Sequence, residues 1–163
     1  MVISNGAREV FEEINKEIIT REDLIFFLEE INILEGLIFK NTGVPLSERA
    51  KEKISEEFRN FLQKFEKKKM IPQSPNQQFS FFEELKKHLQ RMSQIRLEIA
   101  FQPSKEFLLK IKGRLKEITG QEIILDFVLN PEITGGMIIE YQGRRLDFSL
   151  AKEITSHYLR RPS

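Results

Sequence analysis

The chain has 163 residues, enough for one domain or two small ones, and its 26 Lys and Arg nearly balance 25 Asp and Glu, so no global field draws it to nucleic acid or anionic lipid. With no cysteine in the sequence, disulfides, thiolate metal sites and cysteine nucleophiles are excluded. The two histidines, His88 and His157, fall on separate predicted helices without metal-ligand spacing and read as surface residues.

Residues 1–8 carry no basic segment followed by an apolar run, and no stretch approaches the ~20 apolar residues that span a bilayer. A soluble chain that meets a membrane only through a partner is expected. Over 8–19, Val10, Phe11, Ile14 and Ile18 recur at helical spacing and predict a short amphipathic helix. Thr20 and Asp23 then read as the cap of a second helix running to about residue 40, where Asn41, Thr42 and Gly43 supply a stop.

That second helix is apolar around more of its circumference than one core-facing stripe requires. Leu24, Phe27, Ile31, Leu34 and Ile38 are its candidate partner-binding residues. Two readings stay open: a helix central to its own bundle, or a face that docks a partner helix. A third helix is predicted from a Ser47 cap to about residue 69, with Ile54, Phe58, Phe61, Leu62 and Phe65 inward and Lys64, Lys67, Lys68 and Lys69 at its end. Lysines there complement the helix dipole and read as a solvated end rather than a phosphate contact.

Residues 71–79, with Pro72, Pro75 and a polar run, have linker composition, which sets domains at 1–70 and 80–163. Ser80 and Glu83 form a capping box for a helix over 81–92 carrying Phe81, Phe82 and Leu85, further candidates for partner binding. The period then changes. Strict alternation over 95–101 predicts a strand, Pro103-Ser104 starts a helix closed by Gly120, and 122–129 reads as a more buried strand. After Asn130-Pro131 come two short strands, 137–141 and 144–148, joined by Gln142-Gly143 as a tight hairpin. Ser149 caps a last predicted helix with Leu150, Ile154 and Tyr158, again candidate partner-binding positions. The fold class is therefore α+β: about three N-terminal helices, a linker, and a β-α-β-β-α domain with a small sheet.

Nothing in this order builds an active site. The pair Gly135-Gly136 enters a strand, not the turn between strand and helix that cradles phosphates, and consecutive carboxylates such as Glu12-Glu13 diverge on their helices. No cofactor, metal or catalytic residue is expected. The glycine pair instead offers backbone freedom for a sharp turn into the hairpin.

The run Asn130-Pro-Glu-Ile-Thr-Gly-Gly-Met-Ile-Ile, followed at fixed spacing by Asp147 and Ser149, resembles the signature of the ATP synthase delta subunit family, known in mitochondria as the oligomycin-sensitivity-conferring protein. The resemblance covers about residues 78–159, with Asn130, Pro131, Gly135, Gly136, Asp147 and Ser149 as its structural motif. The N-terminal part departs from the family, having three predicted helices where the family has six and lacking its Tyr-Ala-x-Ala-Leu motif. The resemblance implies a non-catalytic stator. Its partners would be the alpha subunits of the catalytic head and the C-terminal helix of the b subunit, and it would lie in the cytoplasm at the inner face of the plasma membrane. Two alternatives remain: a nucleic-acid or ribosome-associated module, suggested by Lys86, Lys87, His88, Arg91, Arg144 and Arg145, and a stalk adaptor of a secretion or flagellar ATPase.

Overall fold

The computed structural model describes residues 5–148, which form an α+β fold of two compact units. One comprises residues 5–18 and 23–91 and is helical; the other comprises 19–22 and 92–148 and holds a sheet. The predicted helix carrying Leu150, Ile154 and Tyr158 lies outside the described residues, as does Ser149.

The helical unit contains α1 (Asn5–Glu17), α2 (Arg21–Glu35, from Asp23 onward), α3 (Leu46–Arg49), α4 (Glu56–Lys67) and α5 (Pro75–Gln90). On α1, Val10, Phe11 and Ile14 are buried, as is Ile18 just beyond it. The Phe11 ring lies 5.8 Å from Phe81 and 5.1 Å from His88, and His88 Nε2 meets Asn15 Oδ1 at 3.0 Å. His88 is thus half-buried against α1, not the free surface residue its sequence context suggests.

Three helix limits differ from the sequence expectation. α2 ends at Glu35, because Arg49 reaches across and its Nη1 donates to the carbonyls of Leu37, Ile38 and Lys40 at 3.1, 2.7 and 2.8 Å. A turn over 36–40 is fixed in place of a further helical turn. The third predicted helix is broken into α3 and α4, because Ser55 outcompetes continued helix. Its hydroxyl accepts from the Phe58 N–H at 3.1 Å, and its own N–H donates to Glu30 Oε1 at 2.9 Å. Ser47, expected as a cap, instead donates through its hydroxyl to Glu66. Finally, α5 starts at Pro75, inside the expected linker, since proline is favoured in a first helical turn where its missing N–H costs nothing. The chain passes from the helical unit to the sheet unit between Arg91 and Met92.

Aromatic rings fill this core. Phe27 meets Phe58 edge-on at 5.4 Å, Phe58 stacks with Phe61 at 6.1 Å, and Phe61 approaches Phe65 at 4.6 Å. Such pairs stabilise by about 0.5–1.5 kcal/mol each beyond the burial of their area.

The second unit contains β1 (Ser93–Ile99), α6 (Lys105–Thr119), β2 (Ile123–Leu129), β3 (Met137–Tyr141) and β4 (Arg144–Asp147) in a sheet of order β2-β1-β3-β4. Counted strand by strand, the hairpin adds two strands after β2, so the described order is β-α-β-β-β. β1 and β2 are parallel, as the α6 crossover requires, while β3 is antiparallel to both β1 and β4. Alternation puts Ile95, Leu97 and Ile99 on one face with Ile123 and Leu125, and Leu108, Phe107, Ile111 and Leu115 of α6 pack against them. The opposite face is mixed, with Arg96 beside Asp126 and Glu140 in register and with Ile124 and Ile138 buried.

α6 has both of the expected limits. The Ser104 hydroxyl accepts from Phe107 N–H at 3.1 Å, and Gly120 takes the left-handed conformation at φ 68°. The hairpin turn has Gln142 at φ 50° and Gly143 at φ 74°, the paired positive values of a two-residue turn whose twist matches the strands. One contact was not predicted: Ile19 and Thr20 add to the outer edge of β2, where Leu125 N–H donates to Ile19 O at 2.9 Å.

Candidate partner-binding surfaces

The signature residues build a corner between β2 and β3. Asn130 N–H donates to Ile99 O at 2.9 Å and its Nδ2 to Glu98 Oε2 at 3.0 Å, tying the ends of β1 and β2 together. Its Oδ1 accepts from the Glu132 N–H at 3.1 Å, an asparagine turn that redirects the chain through Pro131. Gly135 and Gly136 follow at φ 75° and 82°, where a side chain would be strained, and deliver the chain into β3. Asp147 pairs in register with Ile138, and Phe148 N–H donates to Met137 O at 2.9 Å. Among the described residues, these signature contacts direct the path of the chain from β2 into the hairpin.

The candidate partner-binding residues among the described ones are placed otherwise than a docking face requires. Leu24, Phe27, Ile31, Leu34, Ile38, Phe81, Phe82 and Leu85 are all buried within the helical unit. They form the core because they occupy the inward stripes of α2 and α5 or, for Ile38, the turn that follows α2, and a partner cannot reach them without opening it. The exposed apolar side chains on α2 are Ile25, Phe26 and Ile33. Ile25 and Ile33 lie eight residues apart, about 12 Å along the axis on one face. The greasy circumference of this helix carried that signal, since a seam of 24, 27, 31 and 34 leaves 25 and 33 outward. A second exposed pair, Phe39 and Phe79, sits at 6.1 Å with Val44 also exposed in the same unit. In the sheet unit, Phe101, Leu109, Ile118, Val128, Leu129, Leu146 and Phe148 are exposed.

Charge in the helical unit ties helices together. Glu13 accepts from Lys64 at 2.8 Å and from Lys16 at 3.0 Å, and these hydrogen bonds, Lys64 first, hold its carboxyl down at about 2. Lys68 pairs with Glu9 at 3.1 Å, so two of the four lysines near the end of α4 bind α1 rather than face a phosphate. Burial works against the charge on Lys86, yet its hydrogen bonds to Glu35 and Glu83 outweigh that and raise its pKa. Burial lowers the Arg49 pKa. Sequence gave no sign of the Arg49 clamp, which joins residues 9 to 12 positions apart through a fold not yet formed.

Among the described residues no cluster of three His, Cys, Asp or Glu side chains has the arrangement to hold a metal ion, and no helix is long and apolar enough to cross a membrane. Two hollows, about 530 and 320 Å³, are open depressions around the 41–53 loop and beside Arg49, Glu66 and Gln78.

None of the curated protein sequences matches the chain. One chain of a cryo-electron microscopy structure of the Polytomella F-ATP synthase, in primary rotary state 3, is similar at 18% identity over 42% of this chain and 89% of its own, with a TM-score of 0.39. That likeness is too low to carry weight. The sequence profile of the ATP synthase delta (OSCP) subunit family, however, matches residues 40–157, which is most of the chain and reaches back beyond the signature half into α3 and α4. From that match and the corner its signature builds, the chain belongs to the ATP synthase delta (OSCP) subunit family, whose members are peripheral-stalk subunits.

Proposed function

We propose that the chain is the connector of the stator, joining the catalytic head to the membrane-anchored b subunit so that the head does not turn with the rotor. The family match over 40–157 carries this reading. Physical support comes from what such a part needs: apolar surfaces that accept helices, and no chemistry. On this reading the helical unit meets N-terminal segments of the alpha subunits, with Ile25, Phe26 and Ile33 of α2 as the apolar contact. The sheet unit meets the C-terminal end of the b subunit. The chain then works at the inner face of the plasma membrane and reaches the bilayer only through b.

Co-expression of the tagged full chain with the ATP synthase subunits of its host, followed by pull-down and mass spectrometry, tests the proposal. Recovery of both alpha and b is the expected result. Recovery of RNA or ribosomal proteins with neither subunit would overturn it and favour the nucleic-acid module.

A further inference from the structure

β2 is an outer strand of its sheet, and its free side is only partly covered. In a strand, successive residues turn their backbone N–H and C=O to opposite sides. Leu125 N–H points outward to Ile19 O, and Asn130 N–H points inward to Ile99 O. By the same alternation Phe127 and Leu129 face outward, and neither has a backbone hydrogen bond on that side among the described residues. The covering segment stops short because the chain leaves the edge at Arg21 to begin α2, with Arg21 Nη1 3.7 Å from Asp126.

Sheet edges are ordinarily guarded by lysine, proline or a bulge. Phe127, Val128 and Leu129 supply none of these. Val128 is 37% exposed and Leu129 48%, on opposite faces of the strand. An unpaired edge also differs from an apolar face in specifying its occupant. Only an extended backbone presents donors and acceptors at the spacing of Phe127 and Leu129, and the chain's own residues 19–20 already bind Leu125 in that way.

We infer that the outer edge of β2 at Phe127–Leu129 takes up an extended apolar segment of another ATP synthase subunit as an added strand. The segment continues the sheet beyond Thr20, pairs with the backbone of Phe127 and Leu129, and sets apolar side chains against Val128 on one face and Leu129 on the other. This inference rests on the stator reading for the source of the segment.

Amide hydrogen exchange decides it, measured on the full chain alone and within the purified ATP synthase. The Phe127 and Leu129 amides are expected to exchange freely in the isolated chain and to slow by about tenfold or more in the complex. In the full chain, Leu129→Pro removes an N–H that has no backbone partner on that side among the described residues, at an edge where proline is tolerated, and Val128→Lys adds a guarding charge; each should weaken assembly while the isolated chain keeps its thermal transition. If the chain co-purifies with the complex but both amides stay fast, the added strand is wrong and the stator reading stands. If the chain does not co-purify at all, both fail.

Discussion

The helical unit and the sheet unit are held together by different means. In the helical unit, side chains reach across from one helix to another: Arg49 closes the turn after α2, Glu30 holds the start of α4, and phenylalanines from α2 and α4 interlock. In the sheet unit the backbone does most of the positioning, through ladder pairing, left-handed glycines and the Asn130 turn. A surface loss should therefore be tolerated in both, whereas a core or clamp loss should strike the helical unit and a φ violation the sheet unit.

The largest effect is expected from Phe58→Ala, which removes a ring that is 1% exposed and in contact with Phe27 and Phe61. It should cost about 3–5 kcal/mol in urea denaturation. If the sheet signals shift as far as the helical ones, the two units unfold as one and the comparison breaks. Next is Gly135→Val, which forces a β-branched residue to φ 75° and should cost about 1–3 kcal/mol. Disturbed β3 amide shifts with unchanged α4 shifts would sharpen the division. Arg49→Met keeps the bulk but takes the guanidinium donor from the carbonyls of Leu37, Ile38 and Lys40, of which Leu37 keeps the Lys40 N–H at 3.0 Å, for about 1–3 kcal/mol in thermal denaturation.

Acid titration should reach the helical unit through Glu13. Its folded pKa of about 2 lies below the ordinary 4.5, so its contribution is complete above pH 4.5 and is lost as pH falls towards 2. Glu13→Gln should flatten that part of the curve, and an unaltered acid limb would contradict the pairing with Lys64. The smallest effect is expected from Lys68→Ala, whose ion pair with Glu9 is about half exposed on each side, and which should stay within about 0.5 kcal/mol.

The same difference decided what could be read in advance. α6 was legible at both ends because Ser104 and Gly120 act within one turn of their own helix. The hairpin was legible for the same reason, Gln142-Gly143 being a local turn. The end of α2 and the break between α3 and α4 were not, since Arg49, Glu30 and Glu66 meet these termini only after folding, and the one local signal, the Ser55 cap, lay inside an apolar period that read as continuous. Pro75 was a local signal overruled by the polar residues around it. As for the surface, the excess of apolar residues on α2 was plain, but which of them face outward depends on the seam chosen by Phe58 and its neighbours, and the inward set was preferred.

The division of labour between the two units can be read by placing a photoreactive benzoylphenylalanine at Phe26 of α2 or at Ile118 of α6, 41% and 79% exposed, in the chain assembled with its ATP synthase. Crosslinks from position 26 to alpha and from position 118 to b are predicted. Crosslinks from both positions to the same subunit, or to no ATP synthase subunit at all, would contradict a connector that holds the head with one unit and the stalk with the other.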